Sequence, residues 1–166
     1  MAAGRLDGML LFAQESMFWL TGYDTFGFCF FQCLYFGADG RTALLTRSAD
    51  LRQAQRTSDI ADIRIWRDGA GASPAMDLRT MLEDLGVRGR LGVENDSQGL
   101  THYNGSRLER ALDGLATLVD ASRLVAGLRA TKSAAELAFV RAAAQLSDDD
   151  LKDLEGMIRK ARKEKK

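Results

Sequence analysis

The sequence holds one histidine, one proline and two cysteines, and its 23 Lys plus Arg are balanced by 23 Asp plus Glu. Each scarcity removes a class of function. At zero formal net charge there is no global attraction to nucleic acid or anionic lipid, so no nucleic-acid partner is expected. No apolar run approaches the roughly 18 residues that span a bilayer. The N-terminus also lacks a basic stretch, an apolar core and a small-residue cleavage site. No membrane partner is therefore expected, and the cytoplasm is the expected compartment. Any imidazole-based triad, metal site or proton shuttle would have to use His102, which sits in the polar stretch 101–104 and reads as a surface residue. Cys29 and Cys33 fall in a run that reads as a strand, about 13 Å apart at strand spacing, too far to bridge. They are read as buried free thiols. No P-loop, dinucleotide glycine fingerprint or nucleophile elbow occurs, because the glycines of residues 69–73 lack a lysine and a preceding strand.

What is present suits a globular domain: 166 residues, 46% of them hydrophobic and 28% charged. Residues 8–13 are continuously apolar, as in a strand covered on both faces. A short helix over 14–20 and a glycine-bearing loop over 21–27 should follow. From Phe28 to Phe36 both alternating sets are apolar, which predicts a central strand; the turn at 37–40 folds it back on residues 42–46 as a hairpin. Beyond it, helices near 49–56, 74–85, within 100–112 and around 124–128 alternate with strands at 62–66, 90–94 and 116–119. The helix over 74–85 has Ser73 at its cap, Pro74 at its first position, the stripe Leu78, Met81, Leu82 and Leu85, and Gly86 to end it. Interleaved strands and helices plus one hairpin predict an α/β fold, a three-layer mixed sheet with helices on both faces. A final long helix starts at Ser133, where Ser133-Ala134-Ala135-Glu136 is a capping box, with Leu137, Val140, Ala144 and Leu146 as its stripe. The chain ends in a basic tail, and residues after about 150 are expected to be helical but mobile.

Two stretches go beyond a generic α/β pattern. Phe18-Trp19-Leu20-Thr21-Gly22-Tyr23, between a strand and an aromatic hairpin, resembles the first motif of the creatinase, prolidase and aminopeptidase P family. Leu128-Arg129-Ala130-Thr131-Lys132-Ser133-Ala134-Ala135-Glu136-Leu137, followed by Arg141 and Ala142, resembles the junction where that family's N-terminal domain passes into the helix leading to its catalytic "pita-bread" domain. The resemblance covers about residues 5–147. Within the family it is strongest to the ectoine hydrolases, through residues 17–34, 45–54 and 62–66.

The resemblance implies a creatinase N-terminal-like domain over 1–132 and a linker helix with basic tail over 133–166. It also implies a chain without the metal ligands, which full-length members carry in the catalytic domain. No cofactor is then expected in this chain, and no catalytic or metal-binding residue. The implied role is dimerisation and shaping of a neighbour's pocket, with a homodimer or a missing catalytic half as partner. In the family the loop after the first motif reaches towards the partner subunit's active site, so Tyr23, Asp24, Thr25 and Phe26 are the candidates for contacting substrate in trans. The alternative is a stand-alone module that binds a peptide or protein. Of the other aromatics, Trp19, Phe30 and Phe31 are expected in the core. Asp24 and the run Asp148-Asp149-Asp150 are read as a turn and a solvated face rather than ion sites. Glu94 and Asn95 end a strand where open α/β sheets place ligand groups, but the preferred reading is a helix entry, with Asp96 or Ser97 as cap.

Overall fold

The computed structural model describes residues 6–145, 150 and 152. Six strands form one mixed sheet: β1 (Gly8–Leu11), β2 (Cys33–Gly37), β3 (Thr42–Arg47), β4 (Asp62–Trp66), β5 (Gly89–Val93) and β6 (Ala116–Asp120), in the order β4-β3-β2-β1-β5-β6. The hairpin makes β2 antiparallel to both β1 and β3, and every other pairing is parallel. Five strands therefore end at one edge of the sheet, where β2 begins.

The helices are α1 (Gln14–Thr21), α2 (Leu51–Thr57), α3 (Pro74–Asp84), α4 (His102–Leu112), α5 (Ser122–Ala130) and α6 (Ala134–Gln145). Strand alternation sorts the core into two layers. Leu10, Cys33, Tyr35, Leu45, Leu91 and Val93 face Leu78, Met81 and Leu82 of α3 and Leu108 and Leu112 of α4. Met9, Leu11, Leu34 and Leu44 face Met17 of α1, Ala54 of α2 and Val125 of α5. Both faces of the central strands are covered, which is why their sequences are continuously apolar. The expected three-layer α/β architecture is the one observed.

The predicted strand over 28–36 is shorter than the pattern implied. Residues 27–29 form a turn of 3-10 helix, Phe28, Cys29 and Phe30 are exposed, and β2 starts only at Cys33. The cause is Gln32, whose amide donates to the carbonyl of Gly27 at 2.7 Å and curls the segment away from the ladder. Cys29 is accordingly not the buried thiol expected, while Cys33 is fully buried and its thiol pushed well up by burial. Trp19 and Phe30 are also outside the core, at 44% and 38% exposure, and only Phe31 is inside, edge-on to Phe12 with ring centroids 5.5 Å apart.

The chain forms two compact units, Met1–Leu128 and Arg129–Lys166. In the second, the capping box is realised: the Ser133 amide donates to Glu136 Oε2 at 2.8 Å and the Glu136 amide to Ser133 Oγ at 3.2 Å. Leu137, Phe139 and Val140 of α6 are exposed. The expectations for Leu146, for Asp148 and Asp149, and for the tail beyond 152 fall outside the described residues.

Candidate functional site

The first motif has a physical meaning at each position. Thr21 Oγ1 donates to the Met17 carbonyl at 2.7 Å and accepts from the Tyr23 amide at 3.3 Å, closing the last turn of α1. Gly22 follows at φ 74°, the left-handed conformation that ends a helix, and its amide donates to the Phe18 carbonyl at 2.8 Å. A Cβ here would lie 2.7 Å from the Thr57 carbonyl oxygen, so glycine is required twice over.

Tyr23 then turns inward and is 0% exposed. Its hydroxyl donates to Gln32 Oε1 at 2.5 Å and lies 3.0 Å from Thr46 Oγ1, and burial raises its pKa. Thr25 is buried as well, donating to Asp50 Oδ1 at 2.9 Å and accepting from the Gly27 amide at 2.9 Å. The Tyr23 carbonyl accepts from Gln14 Nε2 at 2.8 Å, and the Asp24 amide donates to Thr57 Oγ1 at 3.1 Å. The loop is thus held from α1, from Gln32 just before β2, from β3, from α2 and from the turn before α2.

Of the four sequence candidates, Tyr23 and Thr25 face the protein and cannot themselves touch a ligand; Asp24 and Phe26 face solvent, Phe26 at 89% exposure. An apolar ring is presented on a loop fixed from five sides. Replacing Tyr23 with phenylalanine should remove two hydrogen bonds and strand Gln32 Oε1 in the core. A loss of about 1–2 kcal/mol of stability is expected in urea unfolding, with the loop loosened rather than the sheet.

Beside the loop, at the ends of β1 and β5, lies a cleft of about 570 Å³ walled by Gln14, Glu15, Phe28, Asn95, Asp96 and Ser97. This is the edge at which parallel α/β sheets place ligands. Next to the lining residue Asn95 is Glu94, which is buried at 2% exposure. One oxygen accepts from the amides of Phe12 at 3.1 Å and Ala13 at 3.0 Å, and the other from Ser16 Oγ at 2.6 Å. A side chain from the end of β5 thereby satisfies the backbone where β1 passes into α1. Burial, the largest influence, raises its pKa above 4.5 despite these three donors.

The helix-entry reading of 94–97 is corrected by this arrangement. The cap of α4 is Thr101, whose Oγ1 accepts from the Asn104 amide at 3.3 Å; Ser97 accepts from Gly99 and the Asp96 amide donates to Ser122 Oγ. The clamping role of Glu94 is not legible in sequence, because nothing local announces that its partners are about 80 residues earlier. His102 is exposed at the start of α4, as expected. Among the described residues no group of three or more His, Cys, Asp or Glu side chains is arranged to hold a metal ion. No helix among them is long and apolar enough to cross a membrane.

Known proteins place this architecture. An ectoine hydrolase from Halomonas elongata is 31% identical over 154 residues, which are 88% of this chain and 38% of that protein. The N-terminal domain of the cytoplasmic peptidase PepQ from Mycobacterium tuberculosis H37Rv superposes with a TM-score of 0.60 at 28% identity, over 77% of this chain and 91% of that one. An Xaa-Pro dipeptidase from Bacillus anthracis shares the fold with a TM-score of 0.64 at 23% identity, over 82% of this chain but only 34% of its own. The chain thus spans little more than a third of the ectoine hydrolase it matches. With residues 1–131 matching the Creatinase/Prolidase N-terminal domain, the chain belongs to that family.

Proposed function

We propose that this chain is the N-terminal, non-catalytic part of a cytoplasmic metal-dependent hydrolase like ectoine hydrolase or an Xaa-Pro peptidase. It pairs with a second copy or a catalytic half and offers its 23–26 loop to that partner's substrate pocket. The observation that carries this reading is Phe26, an apolar ring at 89% exposure on a loop pinned by at least five hydrogen bonds. Covering a phenylalanine is worth about 2 kcal/mol, and a rigid loop loses little entropy when covered. Phe26 and Asp24 make the contact, and Tyr23 and Thr25 hold it in place. Metal ions would supply an activated water in a catalytic domain. Among the described residues no group of three or more His, Cys, Asp or Glu side chains is arranged to hold them.

Sedimentation of the purified chain is expected to show concentration-dependent self-association. Phe26→Ala should weaken it about tenfold, as for one aromatic anchor, at an unchanged unfolding midpoint. A strict monomer at high concentration, or metal-dependent hydrolysis of ectoine or an Xaa-Pro dipeptide by the chain alone, overturns the proposal.

A further inference from the structure

On the face opposite α1, a groove crosses the start of α4. Its two lobes, of about 270 and 290 Å³, share the side chains of Tyr103 and Arg107. The first lobe is apolar, walled by Phe30, Trp66, Pro74 and the exposed Cys29. The second is bounded by Met76, half-exposed, and by Arg110. Arg107 bridges them: it donates to Tyr103 Oη at 2.6 Å, to Ser73 Oγ at 3.3 Å and to the Ala72 carbonyl, and its guanidinium lies 5.3 Å from the Tyr103 ring centroid. Ser73, expected to cap α3, makes no capping bond and instead helps to orient this arginine.

The charges in the groove are unbalanced. No Asp or Glu lines either lobe, and none of the ion pairs among the described residues includes Arg107 or Arg110. Among the described residues Arg110 bonds only its own helix, at the Ser106 carbonyl. Two guanidinium groups without carboxylates, next to an aromatic lobe, match a ligand that carries carboxylates beside an apolar side chain. A polynucleotide is disfavoured, because the chain as a whole is charge-neutral and the groove offers no continuous basic stripe.

We propose that this groove binds an acidic peptide segment, its carboxylates on Arg107 and Arg110 and an adjacent aromatic or aliphatic side chain in the Phe30–Trp66 lobe. The site adjoins the turn that follows Phe26 but does not include Phe26, and its occupation does not depend on self-association.

Cys29 provides the readout. It is exposed in the apolar lobe, whereas Cys33, the other thiol, is fully buried, so a small thiol reagent reports on the groove alone. The probe is the blocked peptide Glu-Phe-Asp-Glu, with Gln-Phe-Asn-Gln as its neutral counterpart. The acidic peptide is expected to slow Cys29 alkylation several-fold in the full chain, less so as salt is raised, and the neutral peptide is expected to have no effect. Arg110→Glu, at an exposed position, should weaken the protection at least about tenfold, and Arg107→Lys should weaken it while keeping the charge. Arg56→Ala, on α2, should leave it unchanged.

No protection at millimolar peptide, equal protection by the neutral peptide, or full protection in Arg110→Glu overturns the proposal. So does stronger protection by an oligonucleotide of equal charge. A Cys29 rate that falls with protein concentration in the absence of peptide, and does so equally in Phe26→Ala, would give the groove to a second copy, and also overturns it.

Discussion

Gly22→Ala should lower the stability of the chain by about 2–4 kcal/mol, and should weaken self-association beyond what that loss explains. Holding a residue with a Cβ in the left-handed region costs about 1–2 kcal/mol. At Gly22 the Cβ would additionally meet the Thr57 carbonyl oxygen at 2.7 Å, and that backbone is fixed nearby by the Asp59 amide donating to Thr21. Gly40 is the internal control. It has φ 87° with nothing within 4 Å of its would-be Cβ, so Gly40→Ala should show the conformational cost alone. Urea unfolding of the two variants side by side checks the argument; equal losses would mean that Thr57 yields to the methyl group and that the motif glycine serves only to end α1. Because Tyr23 and the loop follow Gly22 directly, displacing it moves Phe26, which is why pairing should suffer more than stability alone accounts for.

Glu94→Leu should cost about 3 kcal/mol, since it leaves the amides of Phe12 and Ala13 and the hydroxyl of Ser16 without their acceptor in a buried site. Glu94→Gln retains one acceptor oxygen and should cost less. The pair also separates charge from hydrogen bonding through pH. Burial raises the folded-state pKa of Glu94 above 4.5, so the native state holds this proton more tightly than the unfolded chain does. The stability Glu94 contributes through protonation is therefore fully present below about pH 4.5 and is lost as pH rises through the folded value. Relative to Glu94→Gln, the natural chain should gain stability as pH falls from neutrality towards that window. A flat difference, or one that grows with rising pH, would show that the three donors outweigh burial and hold the group ionised.

The helical and strand pattern was legible because the periodicities are clean. Strands such as 62–66 are short and bounded, α3 has Pro74 at its start and Gly86 just past its end, and the 133–136 capping box announces α6. The aromatic segment was misread for a reason that is equally physical. Hydrophobic alternation from 28 to 36 is compatible with a strand, but the Gln32 amide finds the Gly27 carbonyl and residues 28–32 leave the ladder. In α1, likewise, hydropathy alone favours burial of Phe18 and Trp19. The buried residues instead include Ser16 and Thr21, because one bonds the carboxylate of Glu94 and the other closes the helix end.

By itself the sequence determined the element order, the three-layer α/β class and the family, because each rests on local periodicity or on motifs whose residues are neighbours in the chain. Tertiary structure alone decided which members of the 23–26 loop face outward, that Glu94 clamps β1 to α1, and that Arg107 and Arg110 share a groove with Phe30 and Trp66. Those outcomes depend on partners up to about 80 residues apart, and no local pattern of polarity encodes which polar group a distant chain segment will meet.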